Sequence, residues 1–323
     1  MKLKTLIKIA AGMTLAIAVG YRVAENRPGI ADKVINEIKD EALMYANQCG
    51  LEGYNEGLHF NENLEQLVKS PQEDISELER VGFIGNAKNE SMASGIPKAV
   101  EAVSENVVMI TQIRKREYTE GKRWETTKLS VGTLISPSYA IANMHVMGEL
   151  SDSRRPAVLH NGILYGANVV ASSKRHDLAL FKLEQKINGI QPVKFVDEKS
   201  FSYGDALYML PWVNTTALKY GYSSTGSLRA IGAVNVEKNI RKGRFERIRS
   251  YTDLSKWGRY NTCILKSDIP SVVFMSGSPA ANADGYIAGI AVRGDETGTW
   301  AAPASAAYKL IGLYKGKLKE MRK

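Results

Sequence analysis

The chain has 323 residues, 44% of them apolar and 24% charged, with a formal net charge of +9. This composition excludes a disordered or low-complexity chain, and the length suits one two-barrel domain with an appendage or two ordinary domains. Two distant cysteines, Cys49 and Cys263, exclude a dense disulfide framework and a cysteine metal site, and leave open one long-range disulfide or two free thiols.

Residues 1–28 open on a basic stretch with Lys2, Lys4 and Lys8, followed by an uncharged, mostly apolar run from Ile9 to Tyr21. That run has the length of a signal-peptide core and falls short of the ~20 residues of a membrane span. Ala16-Ile17-Ala18 offers a small-residue cleavage site. The segment reads as a signal peptide or N-terminal membrane anchor, and the protein as exported: periplasmic, extracellular or membrane-anchored. Residues 29–96 are acidic and helical in pattern. Leu64, Leu67 and Val68 share a face, and Pro71-Gln72-Glu73-Asp74 begins a further helix. The remainder of the chain carries the excess of Lys and Arg, so this extension is either a solvated spacer or an acidic segment that docks on the basic domain. A small, polar linker, NESMASGIP, closes it.

From residue 97 to 323 the pattern changes to short β-type runs such as KLSVGTLISP, YAIANM, AVLHNGILYGANVVA, LALFKL and YIAGIAVRG, separated by turn residues. Many short strands at this spacing predict an all-β barrel or sandwich. The tail SAAYKLIGLYKGKLKEMRK returns to helical spacing. The basic stretch EKNIRKGRFERIRSYTDLSKWGR interleaves Phe245, Tyr251 and Trp257 with cations, yet contains no nucleic-acid motif. It reads as a solvated basic hairpin at the rim of the site rather than a nucleic-acid surface.

Three segments carry chemistry. VGTLISPSYAIANMHVM ends its second strand at His145; SSKRHDLALFKL places Asp177 just before an apolar strand; LKSDIPSVVFMSGSPAANADGYIAGIAV places Ser276 in a Ser-Gly-Ser-Pro turn. Histidine can take a serine proton near neutral pH, a buried carboxylate fixes the imidazole tautomer, and a tight turn of small residues presents backbone N–H groups to an oxyanion. His59, His160 and His176 are the other histidines, read as spacer, hairpin and flanking positions.

In this order and context the segments resemble the trypsin-like (chymotrypsin-fold) serine proteases, nearest the bacterial heat-shock Deg/Htr branch without its PDZ domain. The resemblance runs from about Pro97 to Leu313. It implies two antiparallel six-stranded β-barrels with a C-terminal helix, here behind an N-terminal helical extension. It implies endopeptidase activity through an acyl-enzyme, with His145, Asp177 and Ser276 as the triad. The oxyanion donors fall on the N–H groups of Ser276 and Phe274, and polypeptide is the substrate. No metal or organic cofactor is implied. Two departures stand out: Phe274 occupies a position usually glycine, and Met275 one usually Asn or Asp. They keep a second class open, a pseudoprotease or envelope-associated binding module with an impaired oxyanion turn. The substrate-binding positions are Pro270, Val292, Arg293 and Gly294. Pro270, with Ile269 and Ser271 beside it, brings no acid to the pocket floor, which predicts a small or apolar P1 residue; Arg293 alternatively favours an acidic group nearby.

Overall fold

The computed structural model describes residues 58–85, 87, 96–118, 121–145, 154–202, 204–214, 236–238, 241–255, 258–271, 275–295 and 298–322. The leader, Cys49 and Phe274 lie outside the described residues. Among the described residues no helix is long and apolar enough to cross a membrane.

Six strands form the first barrel: β3 (Val107–Tyr118), β4 (Gly121–Ser136), β5 (Tyr139–Asn143), β6 (Arg154–His160), β7 (Ile163–Ser173) and β8 (Leu178–Leu183). They pair in the order β6-β3-β4-β5-β8-β7, and β7 pairs back to β6 to close the ring. The residues explain the elements. β5 is buried at all five positions, as a strand walled on both faces must be, and β8 at five of six. The β6–β7 hairpin turns on Asn161 and Gly162, both with positive φ (48° and 77°), which suits the twist of a two-residue hairpin. His160 sits in that hairpin opposite Ile163 and is buried.

The second barrel contains β10 (Ala206–Met209), β13 (Arg241–Ser255), β14 (Gly258–Ser267), β15 (Pro279–Ala281), β16 (Ile287–Asp295) and β17 (Gly298–Pro303). Its order is β15-β10-β13-β14-β17-β16, closed by β15 on β16. The basic stretch forms the long β13–β14 hairpin. A separate ribbon pairs β11 (Trp212–Asn214) with β12 (Val236–Lys238). The fold is therefore all-β and chymotrypsin-like, two six-stranded barrels followed by the C-terminal helix α4 (Ala304–Glu320). Ala307, Leu310, Ile311, Tyr314 and Leu318 form the buried stripe of that helix, at the three- and four-residue spacing that puts side chains on one face.

The acidic segment is more than helix. Around α1 (Leu64–Leu67) and α2 (Pro71–Glu79) it adds two short strands, β1 (Leu58–Phe60) and β2 (Gly82–Ile84). β1, which holds the exposed His59, extends the first barrel beside β7. β2 lies parallel to β9 (Lys194–Val196), itself parallel to β16 of the second barrel. Strands of three residues are too short to show a period, and the flanking Glu- and Leu-rich runs made the whole segment look helical. α2 starts at Pro71, where the missing N–H costs nothing, and buries Ile75 and Leu78. Complete burial of a leucine contributes about 1.5–3 kcal/mol. Leu64, Val68, Ile75 and Leu78 share one apolar cluster with Tyr139, Phe195, Ile290 and Tyr314, so these residues belong to the core between the barrels and α4. A third helix, α3 (Lys98–Ser104), leads into β3.

Candidate active site

β5 and β8 are neighbours, with Tyr139 opposite Lys182 and Asn143 opposite Leu178. That register sets the residues just beyond Asn143 beside the residue just before Leu178. Asp177 has φ 53°, a left-handed conformation that aspartate tolerates better than most residues. Its carbonyl consequently accepts from Asn143 Nδ2 and Met144 N, both at 3.1 Å. Its carboxylate faces His145: Oδ1 accepts from His145 N at 2.8 Å, and Oδ2 forms a short hydrogen bond with His145 Nδ1. Asp177 is buried, whereas 29% of the His145 side chain is exposed. A proton on Nδ1, facing the carboxylate, leaves Nε2 as the free lone pair of the neutral ring.

Ser276 lies in a turn suspended between the barrels. From the first barrel, Val131 N (3.2 Å) and Ser130 Oγ (2.9 Å) donate to its carbonyl. From the second, Gly277 N donates to Ala291 O at 2.7 Å and Ala291 N to Ser278 O at 2.8 Å. Gly277 has φ 88°, and a Cβ on it would lie 2.8 Å from the Val131 carbonyl carbon and closer still to its oxygen. Both the conformation and the close approach require glycine. The Ser276 hydroxyl donates to Val292 O at 3.1 Å. Val292 sits where β16 slips register against β17, between Ala291 and Arg293, which frees its carbonyl from the ladder. Met275 is buried in the core of the second barrel, with Thr299 Oγ1 3.7 Å from its sulfur.

The remaining predicted positions lie on the segment before this turn and on β16. Pro270 is exposed, Ile269 is buried, and Ser271 lies against Gly294, whose Cβ position would be 2.8 Å from Ser271 Oγ and 2.7 Å from Gly298 O. The exposed Arg293 sets its guanidinium over the Trp300 ring, 5.5 Å from the centroid. Sequence reasoning missed the Val292 carbonyl as partner of the serine hydroxyl and the Ser130–Val131 support. Both act largely through backbone atoms, which leave no residue-type signal. Asn143 carried a signal, being an amide at the end of an otherwise apolar strand. Among the described residues no group of three His, Cys, Asp or Glu side chains is placed to hold a metal ion.

His176, next to Asp177, is buried, with Nδ1 3.1 Å from Ser173 Oγ. Burial, then the positive charges of Arg175 and Lys309, push its pKa down from 6.5 to about 3. Between these values the unfolded chain binds a proton that the folded chain excludes. This contribution to stability is complete above pH 6.5 and is lost as pH falls towards 3, at about 1.4 kcal/mol per pH unit inside the window. The buried Glu198, whose pKa burial raises, acts in the opposite sense: its contribution is lost as pH rises through its folded pKa. Urea unfolding from pH 3.5 to 7.5 should show a shallower acid-side slope for His176→Gln than for the wild type. Parallel curves would mean that His176 is not the group responsible.

The family model of the trypsin-like peptidase domain matches residues 130–290. A search of curated protein sequences gave no match. Among solved structures, the chain is similar to Rv3671c from M. tuberculosis in an inactive form carrying a serine-to-alanine mutation. The identity is 15%, covering 72% of this chain and 97% of that one, with a TM-score of 0.49. It is also similar to the active form of the same protease, at 14% identity, 70% and 91% coverage and a TM-score of 0.49. The HtrA-type protease AlgW with a decapeptide aligns at 16% identity and a TM-score of 0.50, covering 67% of this chain and 66% of that one. The matched residues run from the end of β4 through His145, Asp177 and the Ser276 turn into β16, and with them the chain belongs to the trypsin-like serine proteases.

Proposed function

We propose that the chain is an endopeptidase that cleaves polypeptides through an acyl-enzyme on Ser276. The observation that supports this reading is the doubly bonded His145–Asp177 pair on the first barrel, in a chain whose Ser276 turn is bonded to both barrels. Ser276 Oγ attacks the scissile carbonyl, and His145 Nε2 takes its proton and returns it to the leaving amine. Asp177 holds the ring in the required tautomer and steadies the imidazolium. The N–H groups of Ser276 and Phe274 receive the oxyanion. To begin, the Ser276 hydroxyl turns from Val292 O to His145 Nε2. This exchanges one hydrogen bond for another, and a typical one is worth about 1 kcal/mol net. The freed Val292 carbonyl is then available to a substrate N–H along β16. Pro270, Val292, Arg293 and Gly294 line the substrate path. The HtrA-type neighbour was solved with a decapeptide, which agrees with an extended peptide as substrate. Residues 1–28 would export or anchor the enzyme, working outside the cytoplasm.

A second reading has its own support. The serine hydroxyl is engaged by Val292 O, and Phe274 replaces a residue that is usually glycine. A pseudoprotease that binds polypeptide without cleaving it would tolerate both. One experiment separates the two: exposure of the full-length protein to a fluorophosphonate probe and to a peptide library. We expect covalent labelling of Ser276 and cleavage after small or apolar P1 residues. A protein that binds peptides but takes no label and cleaves nothing is the pseudoprotease; dominant cleavage after Lys or Arg would reject Pro270 as the pocket floor.

A further inference from the structure

Residues 58–84 touch both barrels in turn. β1 pairs with β7 of the first barrel, and Asn61 extends that contact, its N donating to Val170 O (3.1 Å) and its Nδ2 to Val169 O (2.8 Å). β2 joins the second barrel through β9, with Gly82 N bonded to Val193 O (3.2 Å) and Asp197 N to Ile84 O (2.8 Å). Phe83 stacks on Tyr308 of α4 at 5.0 Å. Between the two strands lies α2, whose acids grip one small region of the first barrel. Glu77 is buried, and its carboxylate accepts from Ser136 Oγ (2.7 Å), Ser138 N (2.7 Å) and Ser138 Oγ (3.0 Å); Lys186 Nζ lies 3.5 Å away. Asp74 pairs with Lys182, whose ammonium also lies over the Tyr139 ring. An exposed Glu79–Lys319 contact at 4.0 Å adds little.

The gripped residues are the β4–β5 turn and the end of β8. β5 starts at Tyr139, next to Ser138, and runs to Asn143 and on to His145; β8 starts at Leu178, next to Asp177, and reaches Lys182 in five residues. α2 therefore holds the far ends of the two strands whose near ends carry the His145–Asp177 pair. At about 3.3 Å per residue the grip lies ~17 Å away along strands that are stiff because both are buried. A histidine from one barrel must meet a serine from the other within hydrogen-bond reach, and a misplacement of about 1 Å can cost ~100-fold in rate. Among the described residues no hydrogen bond or ion pair from this segment reaches His145, Asp177 or Ser276. Its acids dock on the domain as support, leaving the site uncovered by them.

We propose that residues 58–84 form a strap that sets the two barrels in their working register, with Glu77 as its positioning residue. This rests on His145, Asp177 and Ser276 being the reacting groups. Glu77 suits the task because its buried charge is satisfied only when Ser136 and Ser138 stand where they do, so strap and β4–β5 turn define one another. Removal of the strap would then silence the protease instead of releasing it.

The test uses full-length Glu77→Ala and Glu77→Gln, assayed well below their unfolding midpoints. Three readouts are taken: kcat and KM on a cleaved peptide, the rate of fluorophosphonate labelling, and the downfield proton resonance of the His145 Nδ1–H. Glu77→Ala should lower kcat and labelling by about ten-fold or more, leave KM within about two-fold, and move or broaden the resonance. Glu77→Gln keeps an acceptor for Ser138 N and should recover most of the loss. A Glu77→Ala protein of lowered midpoint but unaltered kcat and resonance would make Glu77 merely structural and overturn the proposal. Should Glu77→Ala fail to fold, Ser136→Ala removes a single hydroxyl from the grip. It should still lower kcat and shift the resonance, and an unmoved resonance there overturns the proposal equally. A wild type that shows the resonance but takes no label refutes the function above, while the resonance of the variants still decides the strap.

Discussion

Ser276→Ala is expected to lower kcat for peptide hydrolysis by roughly 10⁵- to 10⁶-fold, the scale for losing a nucleophile that acts as one unit with its base. Its unfolding free energy should stay within about 0.5 kcal/mol of the wild type. The side chain makes one hydrogen bond of ordinary length, to Val292 O, and the turn is otherwise held through its own backbone atoms, which alanine retains. His145→Ala should match it in rate and lose stability as well, about 1–3 kcal/mol, because the buried Asp177 carboxylate loses its ring partner. Asp177→Asn is the informative third variant. Asparagine tolerates the same positive φ, so the turn survives, but its amide would face Nδ1 with a donor and force the wrong tautomer, at a cost of about 10⁴ in kcat. Activity kept by Ser276→Ala or His145→Ala would end the triad assignment. Activity kept by Asp177→Asn would remove the carboxylate from the mechanism and leave the other two.

Gly277→Ala should be the most damaging single-methyl change near the site. The left-handed backbone costs a non-glycine residue roughly 1–2 kcal/mol. The larger part comes from the Val131 main chain, which stands where the new Cβ must go and is fixed in β4 opposite Met109. Either the turn or the strand must move, and each belongs to a different barrel. We expect a loss of about 3–5 kcal/mol in equilibrium unfolding, among the exceptional values for a point substitution. Any folded fraction should show at least ~100-fold lower kcat, since Ser276 shifts with the turn. An unfolding free energy within about 1 kcal/mol of wild type would show that the approach to Val131 is relaxed in solution.

Some features were legible in the sequence because they depend on local order. The buried strands YAIAN and LALFKL read as strands because an apolar run bounded by turn residues has few other uses. The Asn161-Gly162 hairpin follows from which residues accept positive φ, and α4 from an apolar stripe at helical spacing. The order of the His, Asp and Ser segments, with the turn residues around Ser276, carried a resemblance to the trypsin-like proteases, and that resemblance implied the two-barrel fold and the chemistry.

Tertiary structure decided the rest. Whether Asp177 or His176 faced His145 turned on a left-handed residue and on the β5–β8 register, and neither is written in side-chain type. The resting partner of the Ser276 hydroxyl is a main-chain carbonyl freed by a strand irregularity, available in principle at any residue. The acids of α2 were visible as charge, but charge alone did not say that Glu77 would be buried under two serines some sixty positions along the chain, at separations of 59 and 61 residues. Local sequence fixes conformations over a few residues through sterics and periodicity. Contacts between distant segments are fixed only when burial forces each polar group to find a partner, and it was that pairing which made strands of residues 58–60 and 82–84 and joined them to opposite barrels.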